Sequence, residues 1–126
     1  MEAFRRSNRN NRVHVCRDGE EAIDFLLQRG RFSRPGSAPR PDIVLLDLNL
    51  PRRSGFEILD LVRRHEVLRP TPVIVLTTSD RAEDISRSYR TGANSYLTKP
   101  VQFEDCIELV NDIQHYWLET SRLPTR

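Results

Sequence analysis

Residues 42–51 read Asp42-Ile43-Val44-Leu45-Leu46-Asp47-Leu48-Asn49-Leu50-Pro51. Four consecutive apolar residues closed by a carboxylate predict a strand that is buried on both faces and stops where Asp47 reaches solvent. Thirty positions after Asp47, Pro72-Val73-Ile74-Val75-Leu76-Thr77 repeats the pattern and ends on a hydroxyl. Two strands without a polar face need cover on both sides, which a parallel sheet flanked by helices provides.

Working outward, strand and helix signals alternate. Arg12-Val13-His14-Val15-Cys16 reads as a strand, and Asp18-Gly19-Glu20-Glu21 has the Asp-x-x-Glu spacing of a helix start. The helix that follows presents Ala22, Ile23, Leu26 and Leu27 on one face, with Gly30 suited to its end. Gly30 to Pro41, with Pro35, Pro39 and Pro41, reads as a connection. Ser54-Gly55-Phe56-Glu57 repeats the capping signature ahead of Ile58, Leu59 and Val62, and Asp80-Arg81-Ala82-Glu83 opens another helix. Ser95-Tyr96-Leu97-Thr98 is the last strand, and the final helix, 102–117, carries Phe103, Cys106, Ile107, Val110, Ile113 and Trp117 at helical spacing. The predicted class is α/β, a doubly wound parallel sheet.

In such sheets ligands bind beyond the carboxyl ends of the strands, so the residues that stop the apolar runs become candidates: Asp47, Thr77 and Lys99. Each alone has an ordinary explanation as a loop aspartate, a β-forming threonine or a surface cation. Together a carboxylate, a hydroxyl and an ammonium suit a phosphoryl group, the first as nucleophile or metal ligand and the others as partners of its oxygens. Nineteen of the twenty basic residues are arginines, and Lys99 is the one lysine. A compact, mobile ammonium does there what a planar guanidinium cannot.

Composition narrows the classes. The 126 residues are 37% hydrophobic and 30% charged with a net charge of +2, enough to build one core and too short for a second folded output domain. Ile43-Val44-Leu45-Leu46 and Val73-Ile74-Val75-Leu76 fall far below the ~18 residues of a membrane span. Met1 to Asn8 has no apolar signal region, and Cys16 and Cys106 form no Cys-x-x-Cys. These features predict a reduced, cytoplasmic protein with no metal–cysteine site and no membrane. The arginines are spread along the chain, which argues against nucleic acid as a partner.

The chain resembles the response-regulator receiver domains of the CheY-like superfamily. The resemblance runs from Val13 onward and rests on Asp42 to Pro51, Ser54-Gly55, Pro72 to Thr77 and Gly92-Ala93-Asn94-Ser95-Tyr96-Leu97-Thr98-Lys99-Pro100. Leu76-Thr77-Thr78-Ser79, the long loop before Asp42 and Tyr116-Trp117-Leu118 are similar to small stand-alone receivers that partner phytochrome-type histidine kinases. The resemblance implies a flavodoxin-like three-layer fold and a phosphorelay protein, not an enzyme with its own turnover substrate. Asp47 would accept the phosphoryl group, and Asp47 with the backbone carbonyl of Asn49 would contribute to a Mg²⁺ site. Lys99 would pair with the phosphoryl oxygens, and its bond to Pro100 would be cis. Thr77 and Tyr96 would form the switch, and the 81–117 face would meet a partner or a second copy.

One departure stands out. Receivers begin with an apolar strand ending in an acidic pair that holds Mg²⁺, and here the pair is absent, with Met1 to Asn8 aligning as a remnant of the first helix. The expectation is therefore a sheet lacking its first strand, weak or absent metal binding in this chain, and a start assigned downstream of the true one. A phosphorylation-independent adaptor is the alternative reading. A phosphatase of the haloacid-dehalogenase type is more remote, because it needs a second carboxylate where Asn49 stands.

Overall fold

The computed structural model describes residues 1–5 and 12–124, without the side chains of 2–5. The strands are β1 (Glu2–Arg5), β2 (Arg12–Val15), β3 (Ile43–Leu46), β4 (Val73–Thr77) and β5 (Ser95–Thr98). The helices are α1 (Gly19–Leu27), α2 (Gly55–Arg64), α3 (Ala82–Thr91) and α4 (Phe103–Gln114), the last running on as a π-helical turn, His115–Thr120. The sheet order is β2-β1-β3-β4-β5, with β3, β4 and β5 parallel.

The α/β class holds, and the buried central strands carry it. Every residue of β3 and β4 is buried. Val44, Leu46, Val73 and Val75 pack beneath α1 and α2 with Ile23, Leu26, Ile58, Leu59 and Val62. Ile43, Leu45, Ile74 and Leu76 face the other way, against Leu109, Val110, Ile113, Trp117 and Leu118. Alternate residues of each strand thus serve two cores, which is why β3 and residues 73–76 of β4 are apolar throughout, with the buried Thr77 entering only at the strand end.

The amino terminus corrects the expectation of a helical remnant and a missing strand. Glu2–Arg5 is a strand and occupies the slot between β2 and β3, pairing Glu2 with Val15 and with Leu45. It runs antiparallel to both neighbours, where the resemblance implies a parallel strand. Pairing decides the outcome: an empty slot would leave two rows of backbone donors and acceptors without partners. Chain length decides the direction, because only positions 6–11 separate β1 from β2 and a parallel crossover needs a dozen or more residues. The part of the predicted remnant at positions 6–8 lies outside the described residues.

Helix ends follow the sequence in two cases and depart from it in others. Asp18 accepts from the Glu21 N–H at 2.8 Å, and Ser54 accepts from that of Glu57 at 3.4 Å, as the Asp-x-x-Glu and Ser-x-x-Glu spacings predict. α1 closes on Gln28 in the left-handed region at φ 56° instead of on Gly30, which opens a short 3-10 turn, Gly30–Phe32, inside the predicted connection. Phe32 and Ala38 of that stretch are buried, so it packs into the core while remaining a connection. α3 has Arg81 in the cap position before Ala82, with no side-chain cap. Its first-turn Asp84 instead accepts from the Ser79 hydroxyl at 2.6 Å and binds the Arg81 guanidinium. In α4 the predicted apolar face is only partly used. Ile113 is buried, whereas Phe103 is 74% exposed and Ile107 half exposed, because the helix meets the sheet through its carboxyl-terminal half.

No helix among the described residues is long and apolar enough to cross a membrane.

Candidate functional site

Three strand ends meet at one edge of the sheet. Asp47 directly follows β3, Thr77 closes β4, and Lys99 follows β5. Parallel pairing of β3 with β4 and of β4 with β5 puts these ends side by side, and the Lys99 N–H donates to the Thr77 carbonyl at 2.7 Å. The side chains converge as the sequence predicts. Asp47 Oδ2 accepts from Lys99 Nζ at 2.7 Å, and Oδ1 accepts from the Thr77 hydroxyl and the Asn49 N–H, both at 3.0 Å. Thr77 is fully buried, Asp47 is 26% exposed and Lys99 is 35% exposed. The carboxylate–ammonium pair therefore stands at the mouth of the site while its hydroxyl partner is fixed beneath it.

The electrostatics keep the carboxylate ionised. Burial pushes the Asp47 carboxyl up, but the Lys99 ammonium, the Asn49 N–H and the Thr77 hydroxyl outweigh it and hold it below the usual carboxylate range. An ionised oxygen at a strand end, beside a mobile cation, is an arrangement whose charges suit a phosphoryl group.

Tyr96 on β5 is half-buried against the α1/α2 core, and its hydroxyl donates to the Ser79 carbonyl at 2.8 Å. Ser79 lies two residues beyond Thr77, and its own hydroxyl is tied to Asp84 of α3. The predicted switch pair is thus joined through one short segment, 77–79, that also holds the start of α3. Thr77 already bonds Asp47 in this structure.

The Lys99–Pro100 peptide bond is trans, correcting the cis expectation. Trans is the default for X-Pro bonds by ~0.5–1 kcal/mol, and Lys99 reaches Asp47 without the rarer isomer.

A cleft of about 160 Å³ opens over Asp47, lined by Met1, Leu45, Leu46, Asp47, Leu50, Leu76 and Lys99. It brings one carboxylate, already engaged by three donors, face to face with one ammonium. Mg²⁺ demands near-octahedral oxygen coordination and favours carboxylates. The donor set of this lining, even with the Asn49 carbonyl added, does not fit that ion.

Two structural supports, one beside the site and one at the far end of β4, carry little or no signal in the sequence. In the sequence Gly55 is only part of the Ser-Gly-Phe-Glu motif, yet a Cβ there would lie 2.5 Å from the Asp47 carbonyl oxygen and 2.7 Å from Leu48 Cα. The missing side chain lets the start of α2 press against the Asp47 loop, where the Gly55 N–H donates to the Leu48 carbonyl at 3.0 Å. Gly55→Ala must push the two segments apart and is expected to cost about 1–3 kcal/mol. A urea melt checks this, and an unchanged midpoint would show that the loop yields freely. The second support, Arg63, is one arginine among nineteen, and nothing in its local pattern sets it apart. Its guanidinium donates to the carbonyls of Gly92, Arg69 and Thr71 and to Asn94 Oδ1, at 2.7–2.9 Å.

Comparison with known proteins agrees with this geometry. The response regulator receiver domain family matches residues 1–111. The chain is 44% identical over 124 residues to the probable methanogenesis regulatory protein FilR2 of Methanothrix harundinacea, spanning 98% of this chain and 77% of that protein. It is 39% identical over 124 residues to the response regulator Rcp1 of Synechocystis, spanning 98% of this chain and 82% of that one. A crystal structure of the Mn²⁺-bound form of Rcp1 superposes with a TM-score of 0.79 at 42% identity, over 86% of this chain and 76% of that chain. The phosphorylated cyanobacterial phytochrome response regulator RcpA gives a TM-score of 0.82 at 40% identity, over 87% of this chain and 76% of that chain. A buried parallel β3–β4–β5 core, a carboxylate–hydroxyl–ammonium triad at its carboxyl edge and a family match across most of the chain lead to one conclusion: this chain belongs to the response-regulator receiver family and serves phosphorelay signalling.

Proposed function

We propose that Asp47 is the phosphoacceptor, and that the chain takes its phosphoryl group from a phytochrome-type histidine kinase in the cytoplasm. The convergence of Lys99 Nζ and the Thr77 hydroxyl on the two Asp47 oxygens carries this reading. In the transfer, a carboxylate oxygen of Asp47 attacks the phosphorus of the kinase phosphohistidine. The P–N bond breaks, the imidazole leaves, and an acyl phosphate remains on Asp47. Lys99 follows the charge onto the phosphoryl oxygens, and the Thr77 hydroxyl, already aimed at Oδ1, turns to them. Thr77 is tied through 77–79 to Tyr96 and α3, so its movement is passed to the 81–117 face. That face exposes Tyr89, Val101, Phe103, Ile107 and Tyr116, apolar surface suited to a protein partner or a second copy. Trp117 packs against the sheet and so contributes less to that surface than Tyr116. Similarity to Rcp1 and RcpA, the latter a phytochrome response regulator by name, supports the kinase class.

Incubation with a phosphorylated kinase or a small acyl phosphate, followed by mass mapping, tests the reading. One phosphoryl group per chain on Asp47 is the expected result, and labelling elsewhere or none would reject it. In Lys99→Arg the charge stays, but the planar head cannot hold the point that Nζ occupies 2.7 Å from Oδ2. Labelling is expected to persist in part while the phosphorylation-induced change in association, read by light scattering, disappears. An unaltered response would show that the compact ammonium has no special part in the switch.

A further inference from the structure

On the α1 side of the sheet, remote in sequence from Asp47, β2 and the start of α1 gather three ligating side chains. His14 and Cys16 are two positions apart and share one face of the strand line, and the Asp18 cap turns Glu21 of the first helical turn toward them. One ligand atom from each of the three lies within 4.8 Å of the others. The His14 ring stacks on Phe25 at 4.3 Å and meets Phe32 edge-on at 5.4 Å. Packing of that kind uses the ring faces and fixes the plane in which the edge nitrogens lie. Cys16 is 2% exposed, and burial, with the Glu21 carboxylate adding to it, pushes its thiol up to about 12. The other charges acting on the thiol are the Asp18 carboxylate and, opposing it, the chain amino terminus and Arg31. None of the three ligating residues has a part in the phosphoryl chemistry.

We propose that His14, Cys16 and Glu21 form a binding site for Zn²⁺, with three protein ligands and an open fourth position. The donor set decides the ion. Imidazole nitrogen, thiolate sulfur and carboxylate oxygen are the ligands of a borderline cation, whereas Mg²⁺ and Ca²⁺ take oxygen alone. Tetrahedral Zn²⁺ places its ligand atoms roughly 3.3–3.8 Å apart, so a pair at the 4.8 Å limit has to close by about 1–1.5 Å, within reach of side-chain rotation. On binding, the thiol proton passes to solvent and the cation takes its place, offsetting the burial and the Glu21 charge that otherwise disfavour the thiolate. The ion would clamp β2, the edge strand of the sheet, to α1.

Titration of the full chain with Co²⁺ under a phosphine reductant tests the site. One equivalent should bind with a thiolate-to-cobalt charge-transfer band, and Zn²⁺ should displace it. The band should vanish in Cys16→Ser and remain in Cys106→Ser, the other thiol of the chain. Glu21→Gln keeps an acceptor for the Arg17 N–H and should weaken Co²⁺ binding at least about ten-fold. Zn²⁺ should raise the melting temperature of the wild type and of Cys106→Ser, and not that of Cys16→Ser. Absence of the band, its survival in Cys16→Ser, or equal affinity in Glu21→Gln would overturn the proposal. If Cys16→Ser fails to fold, Glu21→Gln decides.

Discussion

Asp47→Asn is expected to lose phosphoryl labelling to background while the protein stays folded. The amide oxygen can still accept from the Asn49 N–H and the Thr77 hydroxyl, so the loop after β3 keeps two of its three contacts to this side chain. What disappears is the anionic nucleophile, and an amide cannot form the acyl phosphate. The ion pair with Lys99 goes as well. Both partners are partly exposed, and a pair of that kind contributes only ~0–1 kcal/mol, since the freed ammonium turns to water. Loss of chemistry with a near-native melt is therefore the signature. A variant that labels at the wild-type rate would sink the assignment of Asp47. The pH dependence follows from the same carboxyl. Its folded value is depressed, so its contribution to stability is complete above the unfolded value near ~3.9 and is lost as pH falls through the folded one. Asp47→Asn should flatten the acid limb of the stability curve and leave stability near neutrality almost unchanged.

The second large effect is structural. Arg63→Met removes four hydrogen bonds from a half-buried guanidinium and leaves the carbonyls of Gly92, Arg69 and Thr71 to find other donors. Asn94 loses one of two donors, because its Oδ1 also accepts from the Val73 N–H at the start of β4. Burial pushes the Arg63 pKa down, and its four partners are neutral oxygens with no carboxylate among them, so hydrogen bonding has to offset desolvation. We expect a loss of about 3 kcal/mol and a drop in Tm of roughly 10 °C. Arg63→Lys should recover little of it, since one ammonium cannot reach four acceptors spread around a planar fork. Thermal melts of both variants provide the check, and an Arg63→Lys protein as stable as the wild type would show that charge alone matters. Labelling at Asp47 should survive in both, because the network lies at the opposite end of β4 from Thr77.

These two predictions differ in how far the sequence foretells them. Asp47, Thr77 and Lys99 stand out because each ends a strand, and the polarity change that stops an apolar run also marks the edge where the three meet. Arg63 gives no such sign. It sits in an amphipathic helix where an arginine is expected on the solvated side, and its acceptors come from segments up to thirty-one positions away. β1 is hidden for a related reason. Glu2-Ala3-Phe4-Arg5 has no alternation that separates strand from helix, and its state is set by the vacant ladders of β2 and β3, a tertiary demand that local propensity does not contain. Gly55 lies between these cases, since the residue is visible in the sequence and the backbone it accommodates is not.

The reversed β1 also bears on how the sheet assembles. Arg5 faces Arg12 seven positions on, whereas Val44 faces Val73 only after an intervening helix and loop. Antiparallel neighbours so close along the chain pair at the low closure cost of a hairpin, whereas each parallel crossover has to order a far longer segment. Two strands alone are marginal in water, so the stability of this pair depends on β3, which joins β1 and ties it to the buried core. The β1–β2 pairing thus needs the shortest loop closure in the sheet, and the long parallel crossovers carry the larger share of the closure entropy.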